Sequence, residues 1–361
     1  MSDSPLPDSN PRAPGRVREA GSAVKLDTIG WLLGLVLVLV AIAMLAPLIL
    51  ALVLGEPWRP FGRAIAVEAL VGGALLLGLR RRARALDHRS AFLAVALSWV
   101  LACLAGSVPY VLSPDLGLSL VDSLFESFSG FTTTGATVLS DLESKPRSLL
   151  LWRALSQWIG GMGVVLIGVA VLPILGIGGM ALYKAEAPGP SKDKLVPRIS
   201  ETARILWALY LGLTVLGIVA LKLCGMSLFD AVCHAMCAIA TAGFSTHDAS
   251  FGHFSSGWVR LTGMTLMVLG ATSFAVLHRT LTRGIPWSGS LELRAYVGLL
   301  VIGSLVVALD LRSERPDEFV STLAALDRAS FQVVSIGTTS GFTSANYDAW
   351  PALSKSVLFL L

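Results

Sequence analysis

A short phrase of threonine, a small or hydroxyl residue, then glycine occurs three times in this 361-residue chain. The copies are Thr133-Thr134-Gly135, Thr241-Ala242-Gly243 and Thr339-Ser340-Gly341. Gly135 and Gly243 are 108 residues apart and Gly243 and Gly341 are 98 apart, a long-period internal repeat. The chemistry such residues can do is coordination of a hard monovalent cation. Backbone carbonyls in a tight loop replace the hydration shell without the deep trap that carboxylates create. Glycine lets the backbone turn its carbonyls inward, and threonine can add a hydroxyl ligand. These nine residues are the candidate ion ligands, and potassium is the expected ion.

The elements that must hold these loops are legible around each copy. Each phrase follows a short amphipathic stretch containing an acid, Asp122, Asp230 or Asp327. Each is followed by hydroxyl residues: Thr137, then Ser245 and Thr246, then Thr343 and Ser344. A helix that stops partway into a bilayer and returns as such a loop is how cation filters are built. Hydrophobic residues make up 54% of the chain and charged ones 14%, with mean hydropathy +0.72. A soluble domain carries about a quarter charged residues, so the chain reads as all-α and polytopic in a lipid bilayer. The spans expected are Ile29–Leu54, Phe61–Leu79, Ala91–Leu112, Leu149–Leu175, Ala203–Leu223, Gly257–Leu277 and Leu293–Leu309, with an eighth beginning near Ala352.

Charge placement orients the spans. Arg12, Arg16, Arg18 and Lys25 precede the first, and Arg80, Arg81, Arg82, Arg84 and Arg89 lie between the second and third. Lys184, Lys192, Lys194 and Arg198 follow the fourth, and Arg279 and Arg283 follow the sixth. With these segments inside the cell, the N-terminus is cytoplasmic and all three filter loops face outside. The resulting division is a cytoplasmic tail (1–28), two N-terminal transmembrane helices (29–89), and pore repeats at 90–198, 199–291 and 292–361. The third repeat reads as cut short after Ala352, and a fourth is expected to be absent, so this chain alone is not expected to support selective uptake. The net charge of +4 reports loop placement and implies no nucleic-acid partner.

Other residues are weighed against blander roles. Cys233, His234 and Cys237 could suggest a metal, but zinc needs converging ligands, and small packing residues on a pore helix are the expectation. Asp122, Asp230 and Asp327 are expected to stabilise helix starts rather than to form an acidic mouth, and Glu126 is left open between these roles. Arg153 is either a snorkelling anchor or the partner of an acid behind the filter. Gly160, Gly161 and Gly163 read as helix-packing residues, and Gly176–Met180 as a flexible exit from the span. His247-Asp248 lacks a nucleophile and reads as a turn or mouth hydrogen bond. An intramembrane enzyme would need paired ionisable groups at span centres, which are missing, and no covalent cofactor is implied.

Five segments together resemble one known family. Phe125–Val138 (FESFSGFTTTGATV) is similar to the first pore segment of the bacterial Trk potassium-uptake membrane subunit. Trp158–Val165 and Tyr183–Pro190 resemble the stretches after that segment in the family, Ala242–Asp248 the second pore segment, and Phe331–Thr343 the third. The resemblance implies the Trk/Ktr/HKT fold, four hairpin repeats around one pore after two extra helices. It further implies a homodimer in the bacterial inner membrane, gated by a cytosolic nucleotide-binding regulatory subunit, with K⁺ at the filter residues. A non-conducting remnant of such a subunit is the competing expectation.

Overall fold

In a computed structural model of the protein, residues 25–80, 88–171, 195–283 and 291–361 are described. Among them the regular structure is helical throughout. Several expectations fall outside the described residues: the tail at 1–24, Arg81, Arg82 and Arg84, and the Gly176–Met180 and Tyr183–Pro190 tracts with Lys184, Lys192 and Lys194.

The first expected span is two helices, α1 (Leu26–Ala43) and α2 (Leu45–Leu54), joined through Met44. Pro47 has no N–H to offer the Ala43 carbonyl, which weakens the ladder at that turn. Next come α3 (Arg59–Leu79) and α4 (His88–Val111). Helices α1 and α3 cross backbone to backbone, because a Cβ on Gly34 would lie 2.9 Å from the Gly72 carbonyl oxygen and one on Gly72 2.8 Å from that of Gly34.

A repeated order then begins. Helix α4 is followed by a short helix α5 (Leu120–Phe131), a loop, and the long α6 (Arg147–Val171). The pattern returns as α7 (Leu195–Leu223), α8 (Leu228–Ile239) and α9 (Gly257–Ala271), continued by α10 (Phe274–Arg283). It returns again as α11 (Leu291–Glu314), α12 (Thr322–Gly337) and α13 (Ala352–Leu360). Among the described residues, five helical stretches are long and apolar enough to cross a membrane: α1–α2, α3, α4, α7 and α11. Their outward faces keep large apolar side chains exposed, among them Leu70, Leu77, Leu216 and Leu309, as lipid-facing surfaces do.

The sixth expected span, Gly257–Leu277, is interrupted. Helix α9 ends at Ala271, Thr272 is extended, and its hydroxyl donates back to the Val268 carbonyl. Hydroxyl residues that satisfy the backbone in this way compete with helix continuation. The break lies beside the end of α8, where a Cβ on Gly270 would come within 2.6 Å of the Ile239 carbonyl oxygen.

Two apolar cores flank the short helices. One joins α1, α3, α4 and α6 around Phe131, Trp152 and Tyr110. The other joins α7, α8, α9, α11 and α12 around Met267, Phe251, Phe331 and Phe342.

Candidate functional site: three loops at the ends of three short helices

Each short helix begins on a serine. Ser119 Oγ accepts from Asp122 N and the Asp122 carboxylate accepts from Ser119 N, a complete capping box. Ser227 caps Asp230 N in the same register, 108 residues on. Ser321 caps Ala324 N, so α12 starts one turn earlier and runs 16 residues against 12 for α5 and α8. Asp122 and Asp230 therefore stabilise helix starts. Asp327 does not: the extra turn carries it inward, where it pairs with Arg260 Nη2 at 2.7 Å.

The helices end alike. Thr132, Ala240 and Thr338 are the C-caps, and Thr133, Thr241 and Thr339 follow with φ of 57°, 49° and 59°. Thr133 N donates to Gly130 O at 3.0 Å, and Thr134 N to Ser129 O at 3.0 Å. The second loop repeats this with Thr241 N to Ala238 O (3.2 Å) and Ala242 N to Cys237 O (2.9 Å). In the third, Thr339 N donates to Ile336 O (2.9 Å) and Ser340 N to Ser335 O (2.8 Å). This pair of bonds is the Schellman motif, which ordinarily places glycine at the left-handed position. A β-branched residue there is an outlier, costing roughly 1–2 kcal/mol. The same unfavourable conformation recurs at all three copies.

Thr241→Gly accordingly leaves the unfolding midpoint of the detergent-solubilised protein unchanged or slightly raised, while lowering cation flux. Glycine removes about 1 kcal/mol of strain, set against a similar loss of chain entropy. A midpoint lowered by many degrees would show that the threonine side chain stabilises the loop more than its backbone strains it.

The three glycines converge. A Cβ on Gly135 would lie 2.5 Å from Gly243 N and 2.9 Å from its Cα. A Cβ on Gly243 would lie 2.6 Å from Ser340 O and 3.0 Å from Gly341 C, and one on Gly341 3.9 Å from Gly243 Cα. Gly135 and Gly341 also carry φ of 77° and 79°, whereas Gly243 is fixed by lack of space. Thus Thr133–Gly135, Thr241–Gly243 and Thr339–Gly341, separate in sequence, occupy one locality.

Three buried polar residues stand behind the loops at one register: Glu126, His234 and Gln332, again 108 and 98 residues apart. Glu126 accepts from Thr137 Oγ1 at 2.9 Å and Val138 N at 3.2 Å. His234 Nε2 meets Ser245 Oγ at 2.9 Å, and Gln332 Nε2 donates to Phe342 O at 3.5 Å. Each therefore ties its short helix to the segment returning from its own loop. A further serine pair does the same in the first and third copies, where Ser129 and Ser335 donate to Ala136 O and Phe342 O. Both ring nitrogens of His234 are occupied, Nδ1 by Asp230 O, so it is a brace and neither a metal ligand nor simple filler. All four cysteines are free thiols.

Arg153 is no interface anchor. It is 1% exposed, and its Nε bonds Glu126 Oε1 at 2.7 Å. Its Nη1 donates to Ser245 O at 2.9 Å and its Nη2 to Thr137 Oγ1 at 3.0 Å, with Phe244 beneath the guanidinium at 4.1 Å. One side chain thereby joins the first and second loops. Glu126 belongs to this buried strut rather than to an acidic mouth. Arg260 links the second copy to the third through Asp327. Gly160 abuts Phe131 O, and a Cβ on Gly161 would lie 3.1 Å from Ala240 Cα, so these packing glycines press on the ends of the short helices themselves.

Farther out, the first and second loops clasp each other. Asp248 accepts from Asp141 N (2.7 Å) and Leu142 N (3.1 Å), and Glu143 Oε1 accepts from Asp248 N (3.2 Å). The backbone N–H of Glu143, then that of Asp248, and His247 hold the Glu143 carboxyl below its ordinary range. Burial alone would raise the Asp230 carboxyl, but the Ser227 and Thr246 hydroxyls bring it below its usual value.

Residues 60–285 match the family described as "TrkH: Cation transport protein". The Trk system potassium uptake protein TrkH of Vibrio parahaemolyticus is 41% identical over 327 residues, 89% of this chain and 67% of that protein. TrkH of Escherichia coli is 40% identical over 326 residues with the same coverage, and E. coli TrkG is 34% identical over 336 residues. The crystal structure of the potassium transporter TrkH from V. parahaemolyticus aligns with TM-score 0.83 at 37% identity, covering 93% of this chain and 69% of that one. The chain thus spans about two thirds of the length of the relatives it matches. The family match and the extended identity to several of its members place this chain in the TrkH cation transport protein family.

Proposed function

We infer that this chain is a pore-forming, Trk-type potassium-uptake subunit whose ions are held by loop backbone and hydroxyl oxygens. Its relatives are transporters rather than enzymes, and potassium is the ion their names carry. The observation that carries the site assignment is the triple recurrence of a left-handed threonine followed by a crowded glycine. Strain repeated in register is difficult to account for by packing, whereas a left-handed residue followed by glycine is a backbone able to turn consecutive carbonyls to one side. The ion ligands on this reading are Thr133, Thr134, Gly135, Thr241, Ala242, Gly243, Thr339, Ser340 and Gly341.

The finer assignments extend the same reading. The division into two leading transmembrane helices (29–89), the first of them split into α1 and α2, and pore repeats at 90–198, 199–291 and 292–361 is supported by the recurring helix order. Placement in the bacterial inner membrane, with the N-terminus inside and the loops outside, rests on the basic segments between spans. A homodimer gated by a cytosolic nucleotide-binding subunit rests on the family resemblance.

Rubidium uptake by cells whose potassium supply depends on a subunit of the relatives' full length carrying this sequence tests the assignment. Uptake is expected to saturate, to be competed by potassium far better than by sodium, and to fall when any of the three glycines is replaced. Uptake indifferent to all three replacements would move the ion path elsewhere.

A further inference from the structure

We propose that Glu143, His247 and His253 form a site for a first-row transition-metal ion on the clasp between the first and second loops. One ligand atom from each residue lies within 4.8 Å of the other two. A tetrahedral zinc with bonds of about 2.0–2.1 Å sets its ligand atoms about 3.3 Å apart. Glu143 Oε1 and His247 Nδ1 are already 3.3 Å apart. The His253 ring lies parallel to that of His247, with centroids 3.6 Å apart and planes 4° from coplanar. Parallel rings direct their in-plane lone pairs side by side, so binding requires the exposed His253 ring to turn out of this stack toward Glu143, which is also exposed.

Glu143 and His247 are held by the backbone around them. Asp248 N fixes the Glu143 carboxylate, and Ser245 Oγ accepts from His247 N. His247 Nε2 is buried without a hydrogen bond, its nearest acid being Asp230 Oδ1 at 3.4 Å. Two imidazoles and one carboxylate make a donor set that suits zinc, nickel or copper and disfavours calcium and magnesium, which take oxygen alone. The three ligands come from both loops, with Glu143 after the first filter phrase and both histidines after the second. A bound ion therefore cross-links the clasp and adds positive charge beside it. Its expected effect, slower cation entry, rests on the pore reading; the binding itself does not.

Titration of the detergent-purified protein with cobalt, followed by zinc displacement, tests the site. One cobalt per chain is expected, with a visible absorption band that zinc abolishes. His253→Ala and Glu143→Gln should each weaken zinc binding by roughly tenfold or more. Unaltered zinc affinity in both variants, or no saturable binding up to about 1 mM zinc, overturns the proposal. Should a variant fail to fold, mass spectrometry of the unmodified protein treated with diethyl pyrocarbonate decides instead: zinc protection of His247 and His253 supports the site and its absence overturns it. Zinc binding that leaves rubidium uptake unchanged would uphold the site and overturn its link to ion entry.

Discussion

In a subunit of the relatives' full length, Gly243→Ala lowers potassium uptake by about tenfold or more, whereas Gly298→Ala leaves it nearly unchanged. The difference lies in what a methyl group would meet. At Gly243 it would be 2.6 Å from the Ser340 carbonyl oxygen and 3.0 Å from Gly341 C, both backbone atoms of the third loop. Flexible side chains can rotate away from such an intrusion, but a loop held by a Schellman turn and by Ser335 cannot yield without moving its carbonyls. Overpacking of this kind costs about 1–3 kcal/mol, and about 1.4 kcal/mol is tenfold in an equilibrium. At Gly298, in α11, nothing lies within 4 Å of the added carbon. Gly161 is a poorer control, because it presses on Ala240, next to Thr241. Growth on limiting potassium at matched expression, with rubidium uptake alongside, measures both variants. Equal uptake by the two would show that Gly243 is not at the ion path.

The loops are legible in the sequence because the threonine and the glycine recur at fixed positions in all three. Glycine and threonine at spacings of 108 and 98 residues can be found with no knowledge of the fold. The braces behind them share those spacings but differ in type: glutamate, histidine, glutamine. Each solves the same problem, a buried link to the returning segment, with different hydrogen-bonding groups, so comparing residue identity passes over them. Extending the glycine register backward by nine residues would have found all three.

Other features depend on three dimensions. The extra turn of α12 begins at Ser321, and similar acidic letters near the three helix starts conceal the shift that turns Asp327 into the partner of Arg260. The interruption of the sixth span at Thr272 depends on a hydroxyl bond within an apolar run, which hydropathy smooths over. The cluster of Glu143, His247 and His253 has no local spacing signal, because its members meet only when two loops clasp. Membrane crossing, by contrast, is written in composition, since lipid-facing surfaces need no periodicity to be apolar.

Arg153→Met is expected to destabilise the protein by about 3–5 kcal/mol, the usual result of removing one partner from a buried ion pair. The guanidinium and the Glu126 carboxylate are both inaccessible, at 1% and 0% side-chain exposure. Without the arginine, Glu126 keeps only Thr137 Oγ1 and Val138 N, and the Ser245 carbonyl loses its Nη1 donor. Lysine should restore little: it keeps the charge but lacks the planar fork that reaches Glu126, Ser245 and Thr137 together and lies over Phe244. Replacing both partners, Arg153→Met with Glu126→Leu, should cost less than the two single changes added together, because neither charge is then left buried alone. Thermal unfolding of the purified protein across this four-member cycle, in one detergent and at one salt concentration, supplies the coupling. Additive losses would mean that Arg153 and Glu126 stabilise the loops independently, and the strut joining the first loop to the second would have to be abandoned.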